Sequence, residues 1–212
     1  MGKDHHRYLN NKRYRVREEN SFRDDVHQKE IVASIGDGNF DVATRGFKNT
    51  DDFYEKFQNS MAYLDIGPGF GQAIFESNAP AKGVADISMT AIRKIQEKDP
   101  EIEGYSISEP PPTSKYDLAT CISVAQHCDA DALRNLMNFS YVALQSGGTL
   151  WIEGICAPDG SNSGHNIKNT KTGHHMWNSE DILNLWPGKC IYNYSEILGP
   201  KLNAWWLGLE KD

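Results

Sequence analysis

"YLDIGPGFG" (63–71) joins a short apolar run to three glycines at alternate positions, Gly67, Gly69 and Gly71. An acid, Asp65, stands two residues before the first of them. A buried parallel strand that must turn sharply calls for such a loop. So does a strand whose backbone must closely approach a bound nucleotide.

The residues around the loop bear on that choice. A dinucleotide-binding loop reads G-x-G-x-x-G, with its third glycine packing helix on strand and a helix N-terminus facing the pyrophosphate. Here the third glycine comes one position early, and Gln72 stands where a dehydrogenase has Gly. The next apolar run, "KGVADI", ends in Asp86, fifteen residues past Gly71. A carboxylate at that tip is placed to take two hydrogen bonds from a ribose diol. Sugar contacts, close backbone approach and nearby acids suit a positively charged nucleoside.

Further along, strands and helices alternate. "MAYLDI", "KGVADI", "IEGYSI", "YDLATCISV" and "TLWIEG" read as strands. "FGQAIFES" starts a helix, and "MTAIRKIQEK" is a helix with Ile92 and Ile95 inward, stopped by Pro100. "DADALRNLMNFSYVAL" is an amphipathic helix capped by Asp129 or Asp131 and ended by "SGG". Alternation at this pitch predicts βαβ units in a parallel sheet. A short helix, "SEDILNLW", then precedes "KCIYNYSEI" and "NAWWLGLE", joined by a turn at Gly199-Pro200. So tight a connection joins antiparallel strands only. The predicted fold is α/β: a doubly wound, mostly parallel seven-stranded, Rossmann-like sheet with a C-terminal antiparallel hairpin and helices on both faces. Before it, "TDDFYEKFQ" begins with a Thr50 cap and puts Phe53 and Phe57 on an apolar face, and "DDVHQKEIVASIG" has loosely helical spacing. Residues 1–58 are read as an N-terminal helical arm or lid and 59–212 as the cofactor-binding domain.

Composition narrows the function. The chain has 212 residues, enough for one domain with a real core. Its net charge of −7 disfavours a general nucleic-acid or membrane-surface binder. Residues 1–17 carry six Lys and Arg against Asp4, leaving +5 there and −12 elsewhere. That arm is either a solvated tail or a grip on an anionic ligand. No apolar run approaches a membrane span, the first residues are too charged for a signal peptide, and "MGKDHH" lacks the Ser or Thr of a myristoylation motif. Cys121, Cys128, Cys156 and Cys190 show no C-x-x-C spacing, as expected of free thiols in a reducing cytoplasm.

With these residues in view, positions 61–210 resemble the class I S-adenosylmethionine-dependent methyltransferases. "YLDIGPGFG" is similar to their first motif, Asp86 in "GVADIS" to the ribose-binding acid, and "SKYDLATCISVAQH" to the fourth-strand motif. "LQSGGTLWIEG" resembles their fifth-strand turn, and the closing hairpin their reversed seventh strand. The resemblance implies S-adenosylmethionine as cofactor, with S-adenosylhomocysteine as product. It implies that Gly67, Pro68, Gly69 and Gly71 pass beneath the methionine part, with Asp65 orienting the loop or meeting the ammonium group. Asp86 would bind the ribose, Ile87 would lie against adenine, and Ser123 would lie near the sulfonium. The third strand departs from the pattern, offering Ser106 and Ile107 where family members often have Asp.

The acceptor is read from the remainder. Transfer to a hydroxyl needs a base, and His127 in "VAQHC" stands at the acceptor rim; it could instead cap the following helix or pack against the cofactor. His165, His174, His175 and Trp177 could line the acceptor pocket, or "GHHMW" could be the entry to a helix capped at Asn178 or Ser179, with Trp177 as a packing anchor. In the arm, Arg13, Tyr14, Arg15 and Arg17 suit a phosphate or carboxylate on the acceptor. Glu153, Asp159 and His165 follow the fifth strand, near where metal-dependent O-methyltransferases hold Mg²⁺, but "EGICAPD" interrupts the usual adjacent ligands, and no metal is expected. "SVAQ" replaces the Asn/Asp-Pro-Pro-aromatic motif of DNA amino-methyltransferases, so nucleic acid is not expected as substrate. The expected activity is methylation of a small molecule at oxygen, by a monomer or homodimer. The alternatives are an anionic sugar, glycan or lipid precursor as acceptor, and a non-catalytic scaffold.

Overall fold

A computed structural model describes residues 44–69, 71–156, 175–199 and 202–212. Its seven strands are β1 (Ala62–Ile66), β2 (Ala81–Asp86), β3 (Glu103–Ser106), β4 (Tyr116–Cys121), β5 (Leu144–Cys156), β6 (Lys189–Gly199) and β7 (Leu202–Glu210). They form one sheet in the order β3-β2-β1-β4-β5-β7-β6. β1 to β5 pair in parallel, whereas β7 runs antiparallel to both β5 and β6. The predicted sheet and its reversed ending are therefore present.

The strands alternate side chains between two apolar layers. On one face Leu64, Ile66, Ala119, Cys121, Leu150 and Ile152 pack with Leu133, Leu136 and Phe139 of a long helix and Ile182 of a short one. On the other, Tyr63, Val84, Leu118, Trp151 and Trp206 pack with Phe53, Ile74, Ile92 and Ile95. The helices are α1 (Asp51–Asn59), α2 (Gln72–Glu76), α3 (Met89–Lys98), α4 (Ala130–Ala143) and α5 (Ser179–Leu185). Thr50 caps α1, Ser88 caps α3, Asp129 caps α4, and Asn178 with Asp181 forms a capping box on α5. Phe47, Phe53 and Phe57 are buried in the second layer, so residues 47–57 pack as part of the domain's body.

"SGG" does not end α4. The helix stops at Ala143, and β5 already begins at Leu144. Gly147, at φ 73°, allows β5 to bulge between its pairings with Tyr116 and Leu118. The bulge is held from the C-terminus: Gly147 N–H donates to Lys211 O, and Lys211 N–H to Gly148 O, both at 2.9 Å. The candidate helix at 24–36 and, past Gly199, the rest of the turn read at Gly199-Pro200 lie outside the described residues.

Candidate active site

In an open sheet of this order, the loops leaving β1 and β4 diverge, and the crevice at their carboxyl ends is where ligands bind. The loop after β1 is shaped by its glycines, with φ 65° at Gly67, 51° at Gly69 and 78° at Gly71. A Cβ at Gly67 would lie 2.4 Å from Val124 Cγ2, so the loops after β1 and β4 touch there. Among the described residues, a Cβ at Gly69 would find nothing nearer than Gly67 O at 3.9 Å. Gly69 thus presents backbone that no described side chain covers. Gly67 N–H is tied to Ala85 O, and Gly71 N–H to Pro68 O, each at 2.7 Å.

Gly71 is the N-cap of α2 and has no side chain with which to cap it. Asp65 acts instead, its buried carboxylate accepting the Ile74 backbone N–H. Thr120 on β4 also donates to Asp65 Oδ1 at 3.0 Å, and the Tyr63 hydroxyl is hydrogen-bonded to Thr120 Oγ1. Burial pushes the Asp65 carboxyl up to about 7, against the hydrogen bonds from Thr120, Ile74 and Tyr63, and nearby Asp86 adds to the rise. Burial likewise pushes up the Tyr63 phenol and the Cys121 thiol.

Asp86 ends β2 and is buried. Its Oδ1 accepts the Ser88 N–H at 2.8 Å, and its backbone carbonyl accepts from Ile107 N–H at 3.1 Å. Ser106 is its register partner on β3, and Ile87 and Ile107 are half-buried beside them. Asp65, Gly67, Pro68, Gly69, Gly71, Asp86, Ile87, Ser106 and Ile107 thus share the carboxyl edge of β1–β3.

Across the crevice, Ser123 follows β4 with φ 59°, a left-handed conformation costly for a residue with a Cβ. Its hydroxyl donates to Glu153 Oε1 on β5 at 2.5 Å. A 3-10 turn, Ala125–His127, carries the half-buried His127. Residues 175–177 are stitched onto this loop and the end of β5: His175 N–H donates to Gln126 O at 2.7 Å, and Trp177 N–H to Ile155 O at 3.1 Å. Trp177 is buried, its indole N–H on Cys128 O at 3.0 Å, while its own carbonyl accepts from Trp205 Nε1 at 2.6 Å. That is the geometry of a packing anchor. The rings of His175 and Trp177 stack at 6.3 Å.

His127, His175 and Trp177 are therefore brought together, whereas Arg15, Asp159, His165 and His174 lie outside the described residues. Thr120, Val124 and Gln126 also stand here; they fall within "SKYDLATCISVAQH" but have no role assigned from sequence, and an apolar strand with one hydroxyl was the only sign of Thr120. Among the described residues no group of three or more His, Cys, Asp or Glu is arranged to hold a metal, and no helix is long and apolar enough to cross a membrane.

No protein-family model matches the chain, and no curated protein matches it in sequence. Solved structures match by shape. A SAM-dependent methyltransferase from Methanosarcina mazei aligns with TM-score 0.59 at 15% identity, over 76% of this chain and 97% of its own. The 1,6-didemethyltoxoflavin-N1-methyltransferase of Burkholderia thailandensis, solved with 1,6-didemethyltoxoflavin and S-adenosylhomocysteine, aligns with TM-score 0.56 at 12% identity, over 89% and 80%. The [4+2]-cyclase SpnF aligns with TM-score 0.50 at 13% identity, over 77% and 80%. One architecture thus hosts more than one reaction. The chain has the Rossmann-like fold of the class I S-adenosylmethionine-dependent methyltransferases.

Proposed function

We propose that the chain is an S-adenosylmethionine-dependent methyltransferase that acts on a small molecule at oxygen. The carrying observation is the bare backbone at Gly69 beside the buried Asp86 at the tip of β2. A side chain at Gly69 would fill the space that a close-lying ligand needs, and a ribose diol would donate to Asp86. When bound, S-adenosylmethionine supplies an electrophilic methyl group on a sulfonium.

The chain's own residues have the remaining tasks. Gly67, Pro68, Gly69 and Gly71 would support the methionine part, with Asp65 holding their loop on α2. Ser106, Ile87 and Ile107 would flank the nucleoside. His127 would accept the acceptor's proton at its imidazole, and His175 and Trp177 would flank the acceptor on the β4–β5 side. Holding the acceptor in line and excluding water account for much of such catalysis.

Calorimetry tests the reading directly. S-adenosylmethionine and S-adenosylhomocysteine are expected to bind and NAD is not. Asp86→Ala is expected to lose roughly 1.5–3 kcal/mol, the scale of hydrogen bonds to a charged group. Tritium transfer from labelled cofactor into a metabolite extract then finds the acceptor. Tight NAD binding, or unchanged affinity in Asp86→Ala, rejects the proposal.

A further inference from the structure

Glu153 is a buried acid with no place in the packing pattern around it. Its strand neighbours Leu150, Trp151 and Ile152 are fully buried and apolar, and its register partner on β7 is Trp206. Gly46 covers that indole so closely that a Cβ there would lie 1.9 Å from Trp206 Cδ2. A buried carboxylate must be matched by polar partners, which an apolar residue at this position would not need. A costly feature is adjacent: Ser123, left-handed without being glycine, places its hydroxyl on Glu153 Oε1. The strained Ser123 and the buried Glu153 are thus joined by a hydrogen bond at the carboxyl ends of β4 and β5. Strain retained at such a place points to function.

We infer that Glu153, aimed by Ser123, is a charge-specificity residue that favours the positively charged sulfonium cofactor over its neutral demethylated product. The inference rests on the methyltransferase reading, and covalent order supplies the placement. With adenine beside Ser106 of β3 and the following Ile107, ribose on Asp86 of β2 and the methionine part on the β1 loop, the sulfur would lie over that loop. Its remaining side would then face β4 and β5. Ser123 and Glu153 stand there, reached through the contact of Gly67 with Val124. A carboxylate on that side attracts a sulfonium and has no such attraction for a thioether. Charge loss on transfer would then help the product leave.

The test compares S-adenosylmethionine with S-adenosylhomocysteine on the intact chain. Glu153→Gln keeps the volume and an oxygen for the Ser123 hydroxyl but removes the charge. Calorimetry is expected to show S-adenosylmethionine affinity falling at least fivefold, with S-adenosylhomocysteine affinity kept within twofold. Ser123→Gly, which accepts the left-handed backbone, should leave the carboxylate unaimed and lower the same ratio at least twofold; it serves if Glu153→Gln fails to fold. A purely structural role would weaken both ligands together. Equal losses, or an unmoved ratio in the folded variants, overturns the inference and leaves the methyltransferase reading standing. A wild-type chain that binds neither ligand overturns both.

Discussion

Thr120 on β4 donates to Asp65 on β1 at 3.0 Å, so the acid ahead of the glycine loop is held by the neighbouring strand as well as by α2. The contact crosses the switch point of the sheet, because β1 and β4 are the strands whose following loops diverge. Asp65 therefore links the orientation of the loop to the core. Its ionisation is opposed by burial and assisted by its donors, which makes the link sensitive to pH.

For the fold, the sign follows from proton counting. The Asp65 carboxyl is raised from its ordinary value of 3.8 to about 7, so between those values the folded chain binds more protons than the unfolded one. Its contribution to stability is full below pH 4 and is lost as pH rises towards 7. Three pH units at 1.36 kcal/mol each set a ceiling of roughly 4 kcal/mol. Asp99 and Glu103, held below the ordinary range by Lys82 and Lys115, contribute in the opposite sense at lower pH. Urea unfolding of the wild type and Asp65→Asn between pH 4 and 8 isolates the effect. The wild type should lose stability relative to the variant across that window, and parallel curves would contradict the assignment.

The glycines differ in what a methyl group would meet. Gly69→Ala meets no described residue closely and incurs left-handed strain, about 1–2 kcal/mol. Gly67→Ala adds an overlap with Val124, a short branched side chain with little room to yield. Gly69→Ala should stay folded and lose cofactor affinity. Gly67→Ala should lower the melting temperature further, with partial recovery in Gly67→Ala/Val124→Ala. A Gly69→Ala protein that binds S-adenosylmethionine as the wild type does would remove the loop from the site.

What was legible followed from periodicity. Met89–Lys98 forms the helix read from Ile92 and Ile95, and the hairpin after Lys189 follows from a connection too short for a crossover. The gathering of Gly67, Asp86, Ser106 and Ser123 at one edge follows from βαβ order, which sends every parallel strand's carboxyl end to the same side. Thr120, Val124 and the Ser123–Glu153 bond were not legible. They join residues 30 to 57 positions apart, and no local spacing records such contacts. "SGG" misled for a related reason: it reads as a helix stop until the pairing with Lys211 shows it inside a strand.

The place of His127 on a 3-10 turn beside His175 allows a kinetic distinction. If it takes the acceptor's proton, His127→Ala should cost on the order of 10²–10⁴ in turnover while leaving cofactor affinity nearly unchanged. Stopped assays with an acceptor found by the tritium screen, paired with calorimetry, separate the two quantities. Loss of cofactor binding or of folding would show that the imidazole packs rather than reacts.

The N-terminal arm carries the remaining question of acceptor grip. Thr44 is buried, its hydroxyl 2.9 Å from Tyr54 Oη, and the Gly46 carbonyl accepts from Tyr192 Oη at 2.7 Å. Gly46 in turn packs on Trp206, the register partner of Glu153. A segment of charge +5 on a body of −12 is drawn to carboxylates, with the attraction screened over about 8–10 Å. Arg13 and Arg15 offer fork-shaped donors that match a phosphate or carboxylate. Deleting residues 1–17, or substituting Arg15→Ala, should raise the acceptor's KM much more than it weakens S-adenosylmethionine binding. The defect should shrink at high salt, where the intact chain loses the same attraction. A truncated protein that matches the full chain at low salt would make the arm a solvated tail.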